Sequence, residues 1–365
     1  MTRMHSYARV DDQKLLSLPA KIDSHASADD KKMLSFPAKI YKVLVSCSSG
    51  DGVAAQDPCQ WDASAFAQAV AQAKLDEDWG SLKKLLAQVA RSNYRIRDCW
   101  PIPRTVLVTH MDCVQYCSHV NSKVPVVSFS SMTTGEALLH FARDKGKATC
   151  ALNFANGEHP GGGYRHGATA QEEDLCRQIP TLYTSLNNAS KKGLYPYGPS
   201  TFSSQNHPGR YSDVLYTPGL TVAREGVEEG YDVLSAEKEA TVSLVSAAAP
   251  NLRSRKGAEH SDMGLLYEAV QSIFIAPIMM DAGLSVLILG AWGCGAFGGD
   301  PYQIAELFVQ AIARDNLGRH YDEVHFAIPS SSKDRNAEAF RTVFSRYNLQ
   351  VLGLDGECEA EVVAI

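Results

Sequence analysis

The sequence predicts an α/β domain in which helices cover both faces of a sheet. Short apolar segments rich in β-branched residues alternate along the chain with segments whose apolar residues recur at helical spacing. The chain has 365 residues, of which 45% are hydrophobic, so it can bury a large core in one or two domains. The predicted strands are Thr105–Thr109, Val124–Phe129, Ala148–Phe154, Val214–Tyr216, Val242–Ala247, Leu284–Leu289 and Glu323–Ile328.

The predicted helices alternate with these strands. In α/β sheets, ligands bind in crevices at the carboxyl ends of strands. We therefore expect a ligand-binding site where a glycine-rich segment follows a strand and precedes a helix. Pro301 suits a first helical turn, because the N–H that it lacks has no partner there in any helix. The predicted helices are Gly135–Arg143, Gln171–Ser185, Met263–Asp281, Pro301–Arg314 and Asn336–Tyr347.

The N-terminal segment contains an internal duplication. DDQKLLSLPAKI, from Asp11 to Ile22, recurs as DDKKMLSFPAKI, from Asp29 to Ile40. Two short copies are too few for a repeat architecture, so we expect residues 1–58 to form a flexible tail with the linker Ser46–Val53. The alternative is a bivalent motif that docks one partner, since two weak sites gain by effective concentration.

A helical region separates this tail from the α/β domain. From Trp61 to Ser92 the apolar residues recur at helical spacing, and the pattern breaks near Trp79-Gly80. Two helices that pack against the main domain are therefore predicted. We assign residues 59–103 to this accessory region, 104–352 to the α/β domain and 353–365 to a C-terminal tail.

Charge and hydropathy argue against several classes of protein. The formal net charge of −6 disfavours general DNA binding through a basic groove, because such binding is dominated by phosphate neutralisation. No apolar run approaches the roughly 20 residues of a membrane span, and the N-terminus lacks the apolar core of a signal peptide. We therefore expect no membrane partner and a cytoplasmic or nuclear location.

The nine cysteines are expected to be reduced thiols, because an odd number in an intracellular chain is a poor disulfide framework. His110, Cys113, Cys117 and His119 form the cluster whose spacing most suggests zinc. It lacks the paired, close-spaced ligands on either side of a longer loop that define zinc sites. We predict no metal and no other cofactor.

The segment NFANGEHPGGGYRHGATAQEED carries the strongest functional signal. The triplet Gly161–Gly163 removes side chains from the backbone, so its amides can approach a phosphate or a ribose closely. After a gap of seven residues come Gln171, Glu172 and Glu173, at the predicted start of a helix. Neighbouring carboxylates in one cleft oppose each other's ionisation, which favours a retained proton for acid catalysis. The structural alternative is that both glutamates are ordinary acids of a first helical turn.

A second glycine-rich segment, LILGAWGCGAFGGDP, runs from Leu287 to Pro301. Together the two segments closely resemble the microbial-type poly(ADP-ribose) glycohydrolases, in which a glycine triplet shortly precedes Gln-Glu-Glu and a second phosphate loop follows downstream. The resemblance covers roughly Thr105 to Tyr347. It implies a macrodomain-like, three-layer α/β/α sandwich with a mixed sheet, preceded by a helical accessory region.

The resemblance also implies an activity and roles for individual residues. It makes Glu173 the catalytic acid and base, Glu172 a helper that positions the distal ribose, and Gln171 a substrate contact. In the second loop it assigns Phe297 to stacking or packing beside the ribose, although this side chain could also serve only to anchor the core. The other residues expected around the diphosphate are Gly293, Cys294, Gly295, Ala296 and Gly298.

Asn153 and Asn156 precede the triplet, where relatives place a residue that contacts ribose. An amide can donate and accept hydrogen bonds at once, which matches a pair of ribose hydroxyls. We favour Asn156. The structural alternatives are that Asn153 closes a strand and that Asn156 with Gly157 forms a turn.

The leading function is therefore hydrolysis of ribose–ribose O-glycosidic bonds in poly(ADP-ribose), with release of ADP-ribose. The shallow loop between the triplet and Gln171, which lacks an obvious basic channel, predicts exo action from chain ends. One alternative is removal of a single ADP-ribosyl group from protein or nucleic acid. Another is a module that binds ADP-ribose without cleaving it, although such a module would not need both glutamates.

Overall fold

The computed structural model describes residues 61–116, 124–201, 210–254, 262–329, 335–347 and 352–353. The duplicated segment, Cys117 and His119 lie outside these residues, so the predictions made for them stay predictions. The chain divides into two units, Met1–Gly50 and Asp51–Ile365, and all the described residues belong to the second.

An eight-stranded mixed sheet forms the centre of this unit. The strands are β1 Val106–Val108, β2 Val126–Ser130, β3 Thr149–Ala155, β4 Val214–Val222, β5 Ala240–Ala248, β6 Val286–Leu289, β7 Glu323–Ala327 and β8 Leu352–Gly353. Their order is β1-β4-β5-β3-β6-β7-β2-β8. β4 pairs antiparallel with β1 and β5, and every other neighbouring pair is parallel. The carboxyl ends of β2, β3, β6 and β7 therefore meet at one edge of the sheet.

The seven predicted strands are confirmed, with one marked difference in length. The prediction ended β4 at Tyr216, but the strand continues through Pro218 and Gly219 to Val222. Its register against β5 shifts at this point, and Gly219 has a φ of 63°. A bulge thus accommodates the proline and glycine inside a strand. The two-residue strand β8 was not predicted, since so short a segment shows no alternation.

The α-helices of the described residues are α1 Ala63–Leu75, α2 Trp79–Ile96, α3 His110–Gln115, α4 Thr134–Leu138, α5 Gln171–Gln178, α6 Leu182–Lys191, α7 Met263–Met280, α8 Pro301–Val309 and α9 Asn336–Arg346. α4 and α8 continue as π-helical turns, Leu139–Asp144 and Gln310–Arg314, so these predicted helices keep close to their expected lengths. The short helix α3, which begins at a capping box of Thr109 and Asp112, was not predicted.

The helix predicted from Gln171 to Ser185 is in fact two helices. α5 ends because Ile179 takes up an extended conformation, with φ −115° and ψ 90°. Pro180 follows it, and a proline disfavours helical dihedrals in the residue before it. The break limits the helix that carries Glu172 and Glu173 to eight residues.

Two buried clusters on opposite faces of the sheet confirm the three-layer α/β/α architecture. Phe274 of α7, Phe308 of α8 and Phe340 of α9 belong to one cluster, and Leu175 of α5 and Leu182 of α6 belong to the other. α7 is the one described helix that is long and apolar enough to cross a membrane, and half of it is buried within this domain.

The two predicted N-terminal helices are confirmed as α1 and α2. Asp78 starts α2, where its Oδ1 accepts a hydrogen bond from the Ser81 N–H at 2.9 Å. The helices share a small apolar core that contains Phe66, Leu82 and, from the loop after β4, Tyr231.

Two glycines bring the backbone of this helical pair against the α/β domain. A Cβ atom at Gly167 would lie 1.9 Å from the carbonyl oxygen of Lys83, and one at Gly230 would lie 2.0 Å from that of Ala63. The indole N–H of Trp61 donates to the Gly230 carbonyl at 2.8 Å. The predicted accessory region is therefore an integral part of one compact unit.

A fully buried arginine and asparagine connect α2 to the loops beneath it. Arg224 donates to the Asn93 Oδ1 at 2.7 Å, to the Ser92 Oγ at 2.6 Å and to the Tyr231 carbonyl at 2.7 Å. Burial lowers the pKa of Arg224 to about 10. The Asn93 Nδ2 lies within hydrogen-bond distance of the Tyr164 hydroxyl and of two carbonyls at the end of α5. The helical pair thus holds both the loop after the triplet and the helix of the glutamates.

We predict that Gly167→Ala is far more destabilising than Gly193→Ala. The two glycines have nearly equal φ values of 78° and 77°, but a Cβ at Gly193 meets nothing within 4 Å. Gly193→Ala is expected to lower the free energy of unfolding by about 1 kcal/mol, the cost of left-handed backbone. Gly167→Ala adds a backbone clash and is expected to cost about 3 kcal/mol or more. Urea unfolding measures both, and equal losses would contradict the close packing of α2.

Candidate active site

A cleft of about 540 Å³ opens at the carboxyl ends of the parallel strands. Thr133 follows β2, Asn156 follows β3, Gly293 follows β6 and Ile328 follows β7, and all four line the cleft. Glu173 lines it as well. The two glycine-rich segments that the sequence singled out therefore contribute to a single site.

The glycine triplet packs directly against the two glutamates. Gly161 and Gly162 have φ values of 67° and 51°, which favour glycine, and a Cβ at Gly162 would lie 2.4 Å from the Glu173 Oε1. The Gly161 N–H donates to Glu172 at 3.2 Å and the Gly163 N–H donates to Glu173 at 2.7 Å. The third amide donates to a backbone carbonyl of the preceding turn. We expected these amides to face a ligand, whereas the structure uses them to hold the carboxylates.

Glu172 is almost completely enclosed, with 2% of its surface exposed. Its Oε2 accepts the Asn156 N–H at 2.9 Å, and its Oε1 accepts the Gly161 N–H and, at 3.4 Å, the Asn153 Nδ2. The pKa of Glu172 is raised to about 8: burial is the largest cause and the charge of Glu173 adds to it, while the N–H donors act in the opposite direction. Both oxygens are thus engaged within the protein, and Glu172 ties the end of β3 to the triplet.

Glu173 differs from Glu172 in having a free oxygen. Its Oε1 accepts the Gly163 N–H, whereas its Oε2 is buried and has no hydrogen-bond partner among the described residues. The side chain lies in the first turn of α5, where the partial positive charge of the helix stabilises a carboxylate. Glu173 is therefore the member of the pair with an atom available for proton transfer to a bound ligand.

Gln171 fixes the start of α5 against β3. Its Nε2 donates to the Leu152 carbonyl at 2.7 Å and to the Thr134 Oγ1 at 3.0 Å, and its Oε1 accepts the Phe154 N–H at 2.8 Å. Both amide protons are thus engaged within the protein. Gln171 lines the cleft, and the predicted substrate contact stays a prediction that rests on the remaining lone pair of its oxygen.

The structure separates the two candidate asparagines. Asn153 is fully buried, and its Nδ2 donates to the Ser246 Oγ at 3.0 Å as well as to Glu172. Asn156 lines the cleft, and its Oδ1 accepts the N–H groups of Glu158 and His159 in a turn. Asn156 is therefore the asparagine placed to meet a ligand, and Asn153 supports Glu172 from below.

The second glycine-rich loop lines the same cleft and leaves three successive backbone amides without an acceptor among the described residues. Gly293 and Gly298 bend the loop with φ values of 76° and 75°. Between them, no described residue accepts a hydrogen bond from the N–H groups of Gly295–Phe297. Gly293 and Gly295–Phe297 line the cleft, whereas Cys294 and Gly298 are not part of its lining. Three successive amides of this kind suit an anion such as a phosphate.

Phe297 combines the two alternatives considered for it. Its ring is half-buried and packs against the core cluster beneath α7 and α8, and it also lines the cleft. An aromatic ring in this position can both anchor the loop and contact a ligand.

One wall of the cleft comes from the helical pair and was not predicted. Lys74 of α1 and Leu82 and Leu86 of α2 line it, together with Val227 and Tyr231 from the loop after β4. The helical spacing of these leucines predicts that they are buried. It does not show that they lie beside a cleft. The only signal in the sequence was the nearness of this region to the α/β domain along the chain.

A buried polar cluster supports the same wall from below. The Asp174 carboxylate accepts hydrogen bonds from the Tyr231 hydroxyl and, at 3.0 Å, from the Gln178 Nε2. Burial raises the pKa of Asp174. Arg177 donates to the Ala168 carbonyl and so holds the loop between the triplet and α5.

Among the residues that the structure describes, no group of histidine, cysteine, aspartate and glutamate side chains could hold a metal ion. His110 instead lies with its Nδ1 3.1 Å from the Ser272 Oγ. Cys113 is buried, which raises the pKa of its thiol to about 12 and keeps it protonated.

Comparisons with known proteins agree with this geometry. The family "Microbial-type PARG, catalytic domain" matches residues 82–225, which begin in α2 and include the triplet and α5. None of the curated proteins matches the chain.

Several solved structures are similar over most of their length. The poly(ADP-ribose) glycohydrolase of Thermomonospora curvata has 26% identity and a TM-score of 0.58, over 71% of this chain and 99% of its own. Its complex with the inhibitor ADP-HPD has 25% identity and a TM-score of 0.55, over 70% and 98%. The enzyme of Deinococcus radiodurans in complex with ADP-ribose has 26% identity and a TM-score of 0.55, over 67% and 94%.

The three-layer fold and the paired glutamates define an α/β glycosidase. The family match over residues 82–225 and the structural similarity then make the comparison specific: this chain is similar to the microbial-type poly(ADP-ribose) glycohydrolases. The resemblance first seen in the two glycine-rich segments is thereby confirmed.

We predict that Glu172→Gln changes how stability depends on pH. The pKa of Glu172 is raised in the folded protein, so its contribution is most favourable below the ordinary value of 4.5 and is lost as pH rises through about 8. The stability of the native protein should therefore fall relative to the variant across this window, by at most about 1.4 kcal/mol per pH unit.

Urea unfolding at several pH values measures this difference. Glu306→Gln, an exposed change on α8, is the control and should leave the pH dependence unaltered. A constant difference between the native protein and Glu172→Gln at every pH would contradict a raised pKa at this position.

Proposed function

We propose that this chain hydrolyses the ribose–ribose O-glycosidic bonds of poly(ADP-ribose), releases ADP-ribose and acts from the ends of the polymer. The observation that carries the proposal is the Glu173 Oε2, a buried carboxylate oxygen without a partner among the described residues, in the cleft that Gly295–Phe297 also line. Gly295–Phe297 can bind the diphosphate, while Glu173 transfers the proton.

Glu173 acts as the general acid and then as the general base. It first protonates the leaving ribose oxygen as the bond from the anomeric carbon to this oxygen breaks. Water then adds to the anomeric carbon and gives its proton to Glu173, which restores the starting state. The raised pKa of Glu172 supports this scheme, because it keeps a proton next to Glu173 near neutral pH.

The protein supplies the remaining assistance through fixed geometry. The Gly163 N–H and the end of α5 hold the Glu173 carboxylate, so little reorganisation accompanies proton transfer. Glu172 and Glu173 both face the same bend in the backbone, so they do not flank a sugar ring from opposite sides. A single glutamate in two successive roles is consistent with this arrangement.

We predict that Glu173→Gln abolishes turnover and leaves affinity for ADP-ribose largely intact. Glutamine keeps an oxygen for the Gly163 N–H but has no acidic proton to deliver, so a loss of about 1,000-fold or more in kcat is expected. Release of ADP-ribose from polymer measures turnover, and calorimetric titration with ADP-ribose measures binding.

The assay for release of ADP-ribose also tests which class of substrate the protein cleaves. Native protein that releases ADP-ribose only from a mono-ADP-ribosylated target, and not from polymer, would overturn the proposed substrate. Binding without turnover on either substrate would indicate a non-catalytic module.

Exo action is supported by the charge at one end of the cleft. Lys74 of α1 pairs with Glu228 at 2.9 Å and so joins α1 to the loop after β4. The exposed side chains of Asp76, Glu77 and Asp78 follow directly along the chain. A polyanion is repelled from this acidic end, so the polymer is expected to occupy the cleft by its terminus.

We predict that ADP-ribose is the first product to appear from end-labelled polymer. Oligomers of intermediate length should not accumulate early, because each event removes one terminal unit. Chromatography of the earliest time points measures the product lengths, and early oligomers would show endo cleavage.

A further inference from the structure

The solvent-facing side of α2 is positively charged, in contrast to the chain as a whole. α2 contains Lys83, Lys84, Arg91 and Arg95 and no aspartate or glutamate, whereas the net charge of the chain is −6. All four cationic side chains are exposed, and so is Tyr94. We call these five residues the basic face of α2.

The basic face is a continuous stripe along the helix. At about 100° per residue, its five members fall within roughly 120° around the helix axis. From Lys83 to Arg95 the stripe is about 18 Å long at 1.5 Å per residue. The opposite side of α2 is buried in the protein through Leu85, Val89 and Asn93. The helix is therefore firmly anchored with its charged side outward.

One member of this face, Lys83, is a neighbour on the helix of two residues that line the active-site cleft. Leu82 and Leu86 line the cleft, and the backbone of Lys83 lies against the loop between the triplet and α5 at Gly167. Arg165 and His166 are exposed on the same loop. Lys83, at the start of the basic face, thus lies against the loop that carries Arg165.

The two ends of the helical wall have opposite charge. The turn before α2 carries Asp76, Glu77 and Asp78, and the neighbouring loop carries Glu228 and Glu229, all of them exposed. A polyanion bound in the cleft is repelled at that end and attracted along α2. This difference in charge therefore favours a path for the polymer along α2 and away from the acidic turn.

Tyr94 adds an aromatic surface to the stripe. Its side chain is 67% exposed, and the Arg97 guanidinium lies 3.9 Å from the ring centroid on one side. Aromatic rings among lysines and arginines are characteristic of surfaces that bind single-stranded polyanions with bases, because each base can stack on a ring. Poly(ADP-ribose) offers both diphosphates and adenines.

We propose that the basic face of α2 binds the part of the poly(ADP-ribose) chain that leaves the cleft. This inference rests on the proposed function and adds a determinant of substrate length to it. The sequence suggested no basic channel because the relevant cations belong to a helix that precedes the α/β domain. The packing of α2 against the loop at Gly167 places Lys83 beside Leu82 and Leu86, which line the cleft.

The test variant replaces three cations, as Lys83→Gln, Arg91→Gln and Arg95→Gln together. Lys84 is kept because it lies within Coulombic reach of Asp78. We expect kcat/KM on long polymer to fall about 10-fold at low salt, with kcat/KM on the two-unit oligomer unchanged. The slope of log kcat/KM against log salt should become shallower by about 2, since each lost contact to a single-stranded polyanion removes roughly 0.7.

The matched control removes three exposed cations elsewhere, as Lys191→Gln, Lys192→Gln and Arg346→Gln. It changes net charge equally and should preserve the ratio of long-polymer to short-oligomer kcat/KM. An unchanged ratio in the α2 variant, or an equal loss on both substrates, would overturn the inference. Native protein that cleaves neither substrate would instead overturn the proposed function.

Two further measurements fix the identity of the occupant. Tyr94→Ala should weaken long-polymer hydrolysis several-fold, whereas Tyr94→Phe should not, because phenylalanine keeps the stacking ring. Single-stranded RNA of matched charge is the competitor. If RNA binds the native protein more tightly than long poly(ADP-ribose) and loses affinity in the triple variant, the face is a site for RNA and the proposed occupant is wrong.

Discussion

The structure depends on hydrogen bonds from backbone amides to two buried carboxylates. Gly161 and Gly163 donate to Glu172 and Glu173, and this arrangement requires backbone that carries no side chain at Gly162. The triplet is thus needed to hold the acids as closely as it does. Buried carboxylates are costly unless they are hydrogen-bonded, so loop and helix stabilise each other. Of the four carboxylate oxygens, the Glu173 Oε2 is the one without a hydrogen-bond partner in the part of the chain that the structure describes.

The helical pair belongs to this same system of constraints. Asn93 meets both the Tyr164 hydroxyl and the end of α5, and Arg224 holds Asn93 in place through its side-chain oxygen. Arg224 makes these bonds with neutral groups, so its charge is solvated by oxygens and not by a carboxylate. The site therefore has a wall whose position is set by a buried polar network, which orients partners more strictly than apolar contact does.

The sequence was informative where short-range chemistry decides the structure. Periodicity located the strands and most helices, and the triplet with Gln171, Glu172 and Glu173 identified the site, because these features depend on neighbours in the chain. Prediction from the sequence failed where contacts between residues far apart in the chain determine the structure. Nothing local shows that the triplet amides are taken by glutamates, that Asn153 lies beneath Glu172, or that Leu82 and Leu86 face a cleft. The continuation of β4 through Pro218 and Gly219 likewise depends on its partner β5.

The lengths of the outer strands bear on how copies of this protein behave together. β1 has three residues and β8 has two, whereas the nine-residue strands β4 and β5 lie inside the sheet. An edge strand offers its unpaired N–H and C=O groups to any passing chain, and a short edge offers few. Strand addition at β8 would therefore gain few hydrogen bonds, and where β4 continues beyond its pairing with β1 at Val214–Tyr216, Pro218 interrupts the free edge because it has no N–H to donate.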